Sequence, residues 1–161
     1  IYEGFTSMTE IFLLSMLSGG LAAMVDKAGG IDYILYQIKR RIKSKKSAQM
    51  GIGTLVGLTN LAIANNTVSI VITGTIAKEI NDEYDLNPKK TAAILDIFSC
   101  VVQGILPYGA QVLLILSFAN GKLDFFDLIG NAFYHLFLLV FTIVAIYAGF
   151  WDKLVHRFFK I

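Results

Sequence analysis

Residues 48–77 read AQMGIGTLVGLTNLAIANNTVSIVITGTIA, a run without a single charge. A straight helix of that length would reach about 45 Å, against about 30 Å for the hydrocarbon core of a bilayer. The middle of the run is also polar: Asn60, Asn65, Asn66 and Thr67 follow Gly51, Gly53 and Gly57 and precede Ser69, Thr73, Gly74 and Thr75. A re-entrant helical hairpin over 48–77, turning at Asn65-Asn66, accounts for both the excess length and the polar centre. Asparagine accepts turn conformations, and its amide satisfies backbone groups that the turn sets free. Non-helical backbone at membrane depth is tolerated only where protein or a wet cavity covers it.

Downstream, residues 91–119 are overlong in the same way and carry Gly104, Pro107 and Gly109. Proline lacks an amide donor and clashes with the preceding turn, so this membrane helix should break around Leu106 to Ala110. Residues 5–25 and 128–150 read as plain transmembrane helices, the latter closed by Tyr147, Phe150 and Trp151 as an interfacial aromatic belt. Between the first span and the hairpin, Ile31, Ile34, Leu35, Ile38 and Ile42 recur at helical spacing. Lys39, Arg40, Arg41, Lys43, Lys45 and Lys46 crowd the end of that segment, so 31–46 reads as an interfacial basic helix.

The composition agrees with a membrane solvent: 161 residues are 55% hydrophobic and only 16% charged, against about 25% charged in ordinary soluble domains. A water-soluble enzyme is excluded on that ground. The basic residues lie between apolar spans, so no nucleic-acid partner is expected. They set topology instead. With 39–46 cytoplasmic by the positive-inside rule, a hairpin that re-enters and returns keeps the loop of Lys78, Lys89 and Lys90 and the tail of Lys153, Arg157 and Lys160 on the cytoplasmic side. A single crossing would put that tail outside. The reading is a multi-pass cell-membrane protein with its C-terminus in the cytoplasm. Cys100 is the one cysteine, so no disulfide forms within the chain. The chain opens at Ile1, and a fragment is expected.

Asp96 is the costliest residue of the 91–119 helix, since an aspartate in a membrane helix usually faces a cavity or a partner. Ser99 and Gln103 follow it at i+3 and i+7, a polar stripe aimed at the proline break. The two breaks, Asn65-Asn66-Thr67 and Pro107-Tyr108-Gly109-Ala110-Gln111, form a second constellation, because interrupted helices expose carbonyls and amides that replace an ion's hydration shell. The candidate ion or substrate site is therefore Asn65, Asn66, Thr67, Asp96, Ser99, Gln103, Pro107, Gly109 and Gln111, with Asp96, Asn66 and Thr67 as candidate cation ligands. Glu10 reads as interfacial, and His135 as a packing residue outside the site. No phosphate-binding loop, zinc motif or nucleophile elbow is present, and no cofactor is called for beyond the transported ions.

At Ala64-Asn65-Asn66-Thr67-Val68-Ser69-Ile70 and from Asp96 through Gln111 the sequence resembles the NhaC-type sodium/proton antiporters of the ion transporter superfamily. The resemblance covers nearly the whole chain and matches the C-terminal part of such a transporter. It implies an all-α integral membrane protein with one re-entrant hairpin and one broken helix, half of an inverted-repeat transporter whose N-terminal half is a partner missing from this chain. The Asn65-Asn66-Thr67 turn is similar to the serine-asparagine-threonine hairpin tips of sodium-coupled carboxylate transporters, with asparagine in place of serine. The implied activity is exchange of sodium for protons, the two competing for Asp96. Some relatives instead exchange malate for lactate, which leaves organic-acid exchange as the alternative. A non-transporting membrane scaffold is the remaining class. Partners are the lipid bilayer and small ions, and a homodimer is compatible with this reading.

Overall fold

The computed structural model describes residues 9–119 and 121–148, and these are all-helical apart from turns. In chain order the helices are α1 (Thr9–Lys27), α2 (Gly30–Lys39), α3 (Lys45–Ile63), α4 (Asn66–Glu83), α5 (Pro88–Ile105), α6 (Ala110–Phe118), α7 (Phe125–Gly130) and α8 (Phe133–Ala148). Phe150, Trp151 and the basic tail lie outside the described residues.

α3, α4 and α5 each begin where a short polar side chain replaces the missing turn. Ser44 accepts from the Ser47 amide (3.2 Å) while the Ser47 hydroxyl accepts from the Ser44 amide (2.8 Å), a reciprocal cap that starts α3. Asn65 caps α4 through Val68 (3.1 Å), and Asn87 caps α5 through Lys89 (3.0 Å), with Pro88 in its first turn.

α3 and α4 form an antiparallel hairpin. Lys45, at the start of α3, reaches both the carboxylate and the carbonyl of Asp85 just past the end of α4, each at 2.8 Å. At the opposite end, Ser69 of α4 donates to Asn60 of α3 (3.3 Å). α5 then runs parallel to α3, for Gly53 faces Phe98 and Gly57 faces Val102. α8 returns antiparallel: His135 lies on Gly104 at one end, and Lys46 donates to the Tyr147 carbonyl (2.6 Å) at the other. The buried core lies among these four helices, with Ile52, Val56, Ile80, Ile94, Phe98 and Ile146 at its centre. All four of their charged or loop-bearing ends, including the starts of α3 and α5, therefore gather on one side.

Two elements differ from the sequence reading. The basic segment 31–46 is not one helix: α2 stops at Lys39, and Lys45 and Lys46 open α3, because the Ser44–Ser47 cap begins a new helix there. Cations oppose the dipole at a helix start, and the Asp85 carboxylate offsets this at Lys45. The apolar stretch 128–150 is likewise divided. α7 ends at Asn131, whose side chain donates to the Asp127 carbonyl (2.8 Å) and whose amide also returns to that turn. α8 begins afresh at Phe133. By length and apolarity, the stretch Pro88–Phe118, α5 and α6 taken together, is the one among the described residues long enough to cross a membrane, and α8 is shorter.

Close packing of α3 on α5 depends on Gly53, where an added Cβ would lie 2.8 Å from the Phe98 ring. Gly53→Ala is expected to destabilise the protein by about 1–3 kcal/mol through overpacking, read as a lower melting temperature in detergent, and Phe98→Leu should restore most of the loss. The Lys45 hydrogen bond, and then its charge, hold the Asp85 carboxyl below its ordinary value. A carboxyl depressed on folding stabilises the fold above its unfolded pKa and loses that contribution as pH falls through the folded one. In Lys45→Gln, NMR titration should find the Asp85 carboxyl shifted upward toward its ordinary value.

Candidate functional site

The hairpin tip is built by three residues with different tasks. Ala64 ends α3 in the left-handed region (φ 54°, ψ 28°), its amide held by the Asn60 carbonyl at 2.8 Å. Such a conformation costs a residue with a Cβ roughly 1–2 kcal/mol, so surrounding contacts must hold it. Asn65 is extended and caps α4, and its carbonyl accepts from the Ser69 hydroxyl (2.7 Å). The Asn66 side-chain oxygen takes the Thr67 amide (2.8 Å), which leaves its NH2 pointing away from its own helix.

The other break lies beside this tip. α5 ends with Leu106 as its C-cap, Pro107 and Tyr108 form the turn, and buried Gly109 opens α6 with its amide on the Leu106 carbonyl (3.0 Å). A Cβ on Gly109 would meet that carbonyl at 3.1 Å, so the turn is tight enough to favour glycine. Three links join the two breaks. Gln103 donates to the Ala64 carbonyl (2.9 Å) and to the Gln111 side-chain oxygen (2.8 Å), bridging the tip to both sides of the proline turn. The Tyr108 hydroxyl donates to the Leu61 carbonyl. Below them, Asn60, fully buried, donates to the Ser99 carbonyl (2.7 Å) and accepts from Ser69, so one amide touches α3, α4 and α5.

Asp96 connects to the tip through sulfur. Asn66 donates to Cys100 Sγ (3.7 Å), and Cys100 in turn donates to Asp96 Oδ1 (3.7 Å). The carboxylate itself is exposed on the flank of α5, about three turns from the proline break. The polar stripe expected along α5 therefore divides. Ser99 and Gln103 are buried against the hairpin, Ser99 returning its hydroxyl to the Asp96 carbonyl (2.9 Å), whereas Asp96 remains open. Asn65, Thr67, Pro107 and Gln111 are exposed, and Asn66 is half-buried. Among the described residues no three carboxylate, histidine or cysteine groups cluster as a metal site. The oxygens that the two breaks bring together are amide, carbonyl and hydroxyl groups. Gln103 Oε1 is such an oxygen, buried and without a hydrogen-bond donor.

Asn60, Ser69 and Cys100 are the members that sequence reasoning left out of the site. The available signal was the hairpin itself: residues 60 and 69 flank the Asn65 turn at similar distances and so must meet across it. Glu10 lies on α1, and His135 packs on α5 at Gly104 with Nδ1 buried and without a hydrogen-bond partner.

Residues 1–153 match the profile of the Na+/H+ antiporter family. No curated protein and no solved structure matches the chain.

Because the Asn60 amide is the shared link, Asn60→Ala should cost about 1–3 kcal/mol through unmet polar partners. Hydrogen exchange should accelerate most at the amides of residues 64–69, and an even change across α3 to α5 would contradict this role.

Proposed function

The chain belongs to the Na+/H+ antiporter family, a family of membrane transporters and not of enzymes, and on that premise we propose that sodium and protons compete for the Asp96 carboxylate beside the hairpin tip. The string from Asn66 through Cys100 to Asp96 is the observation that carries this reading. It gives the carboxylate a neighbour on each broken element.

Competition for one carboxylate is enough to couple two fluxes. A proton that binds Asp96 removes the charge that attracts sodium, and a sodium ion that binds expels the proton. Asn66 and Thr67 are the oxygens proposed to share the sodium ion with Asp96. The free oxygen of Gln103, with carbonyls near Asn65 and Pro107, is proposed to receive the ion about two to three turns further along α5, at the breaks. Ser99 and Gln111 act as positioning residues, the first through the Asp96 carbonyl and the second through Gln103. Gly109 and Pro107 keep the turn tight.

The helix ends favour this use. α3 and α5 bring their carbonyl ends toward the breaks, and α4 and α6 bring their amide ends, so partial charges of both signs lie at the same level. A cation is drawn to the first pair and the Asp96 carboxylate offsets its charge. We read the chain further as NhaC-type, with α3–α4 re-entrant, the loops at 39–46 and 78–90 cytoplasmic, and the whole forming half of an inverted-repeat transporter in the cell membrane. Alternating access in such a transporter requires a second half, against which the exposed Asp96 flank of α5 would close.

The test uses the intact protein in inside-out vesicles with an acid interior. Added sodium should collapse the pH gradient in the wild type, and Asp96→Asn, which can neither take nor release a proton, should reduce the collapse to background. Asn66→Ala should raise the half-maximal sodium concentration by roughly tenfold, the equivalent of about 1.4 kcal/mol. Collapse that survives in Asp96→Asn would move the site elsewhere. Wild-type protein that ignores sodium but exchanges labelled malate would replace the proposed substrate with an organic acid.

A further inference from the structure

The six cations of residues 39–46 are not equivalent. Lys39 pairs with Glu79 (3.1 Å), Lys45 with Asp85 (2.8 Å), and Lys46 donates to the Tyr147 carbonyl (2.6 Å), so three are used by the fold itself. Arg40, Arg41 and Lys43 are exposed and, among the described residues, have no ion pair or side-chain hydrogen bond. The exposed acids at the end of α4, Asp82 and Glu83, form no ion pair with any of the three.

These three cations sit on backbone that cannot move freely. Ile42, between Arg41 and Lys43, is buried, and with Ile38 it packs on the bare backbone of Gly51, where an added Cβ would come within 3.1 Å. The Tyr84 hydroxyl also donates to the Ile42 carbonyl (3.4 Å). A buried residue flanked by exposed cations aims their side chains away from the bundle. Beside them, Tyr33 and Tyr36 are exposed at 63% and 59% and lie three residues apart on one face of α2. The Arg40 guanidinium lies over the Tyr36 ring, 5.7 Å from its centre, which leaves the N–H donors of Arg40 uncommitted.

We infer that the Arg40–Arg41–Lys43 turn and the tyrosine face of α2 form a binding surface for the phosphate headgroups of anionic phospholipids. In a membrane protein, cations with no internal partner beside exposed tyrosines match the headgroup layer in both charge and polarity. Guanidinium takes phosphate oxygens two at a time, so Arg40 and Arg41 add geometry to the attraction. A zwitterionic headgroup offers the same phosphate without net charge, and this surface discriminates against it. The inference rests on membership in a membrane-protein family and not on the proposed ion site, and its test involves no transport.

The intact protein is reconstituted into vesicles mixing phosphatidylglycerol with phosphatidylcholine, then extracted in detergent, and the retained lipids are counted by mass spectrometry. Wild-type protein should retain phosphatidylglycerol over phosphatidylcholine by at least about fivefold relative to the vesicle, which is roughly the effect of one cation at an anionic surface. Washing in high salt should reduce that preference. The variant Arg40→Gln/Arg41→Gln/Lys43→Gln should fall to parity, whereas Lys39→Gln/Lys46→Gln, which removes cations already engaged by the fold, should keep the preference. If the triple variant does not fold, Arg41→Gln and Lys43→Gln singly should each lower the preference measurably. Parity in the wild type, full preference in the triple variant or in both single variants, or equal loss in the lysine pair would each overturn the inference.

Discussion

Polar backbone freed at a helix break has no water to turn to inside an apolar bundle, and each unmet group there costs roughly several kcal/mol. Gln103 and Tyr108 meet that constraint by donating to the freed Ala64 and Leu61 carbonyls, and what holds the helices in place for them is the Asn60 amide. Fully buried, it donates to the Ser99 carbonyl on α5 and accepts from Ser69 on α4 while belonging to α3. Everything at the site is placed relative to this junction. The left-handed Ala64 one turn beyond it presents its carbonyl to Gln103, and Gln103 then fixes the distance from the tip to Gln111 across the proline turn.

A polar junction of this kind also explains why the helices approach so closely. Hydrogen bonds of 2.7 to 2.9 Å between α3 and α5 require short side chains between them, and Gly53 and Gly57 line the contact. Glycines that look like packing filler in a membrane helix are here the condition for the amide to reach. The same closeness brings the breaks level, so that carbonyl ends and amide ends of four helices alternate within side-chain reach. The opposite end of the bundle is held instead by lysines, through the ion pairs of Lys39 and Lys45 and the hydrogen bond of Lys46 to the Tyr147 carbonyl. The two ends are thus stabilised by different physics, one sensitive to salt and the other not.

The residue types that end helices are legible without coordinates, because their effect is local. Pro107 has no amide donor wherever it lies, and Asn65 caps α4 through an atom three residues away. The excess length of the two segments around them is a matter of counting. What the sequence did not display is register. That Asn60 meets Ser99 and not Asp96 depends on how far α5 slides along α3, which the Gly53–Phe98 contact decides in three dimensions. The division of the stripe between buried Ser99 and Gln103 and exposed Asp96 follows from that register alone. The ends of α2 and α7 were missed for a smaller reason: hydrophobic periodicity continues past Lys39 and past Gly130, and the Ser44–Ser47 cap and the Asn131 closure override it locally.

The contact of His135 with Gly104 constrains how this sequence can vary over evolutionary time. A Cβ on residue 104 would run into His135 Nε2, so a side chain fits there only if the imidazole shifts. The reverse order is open, since a smaller residue at 135 leaves room on a surface already beside a cavity of about 230 Å³. A change at 135 is therefore the easier first step, and a change at 104 the costlier one. Chains that retain the histidine should retain the glycine, as one inherited unit.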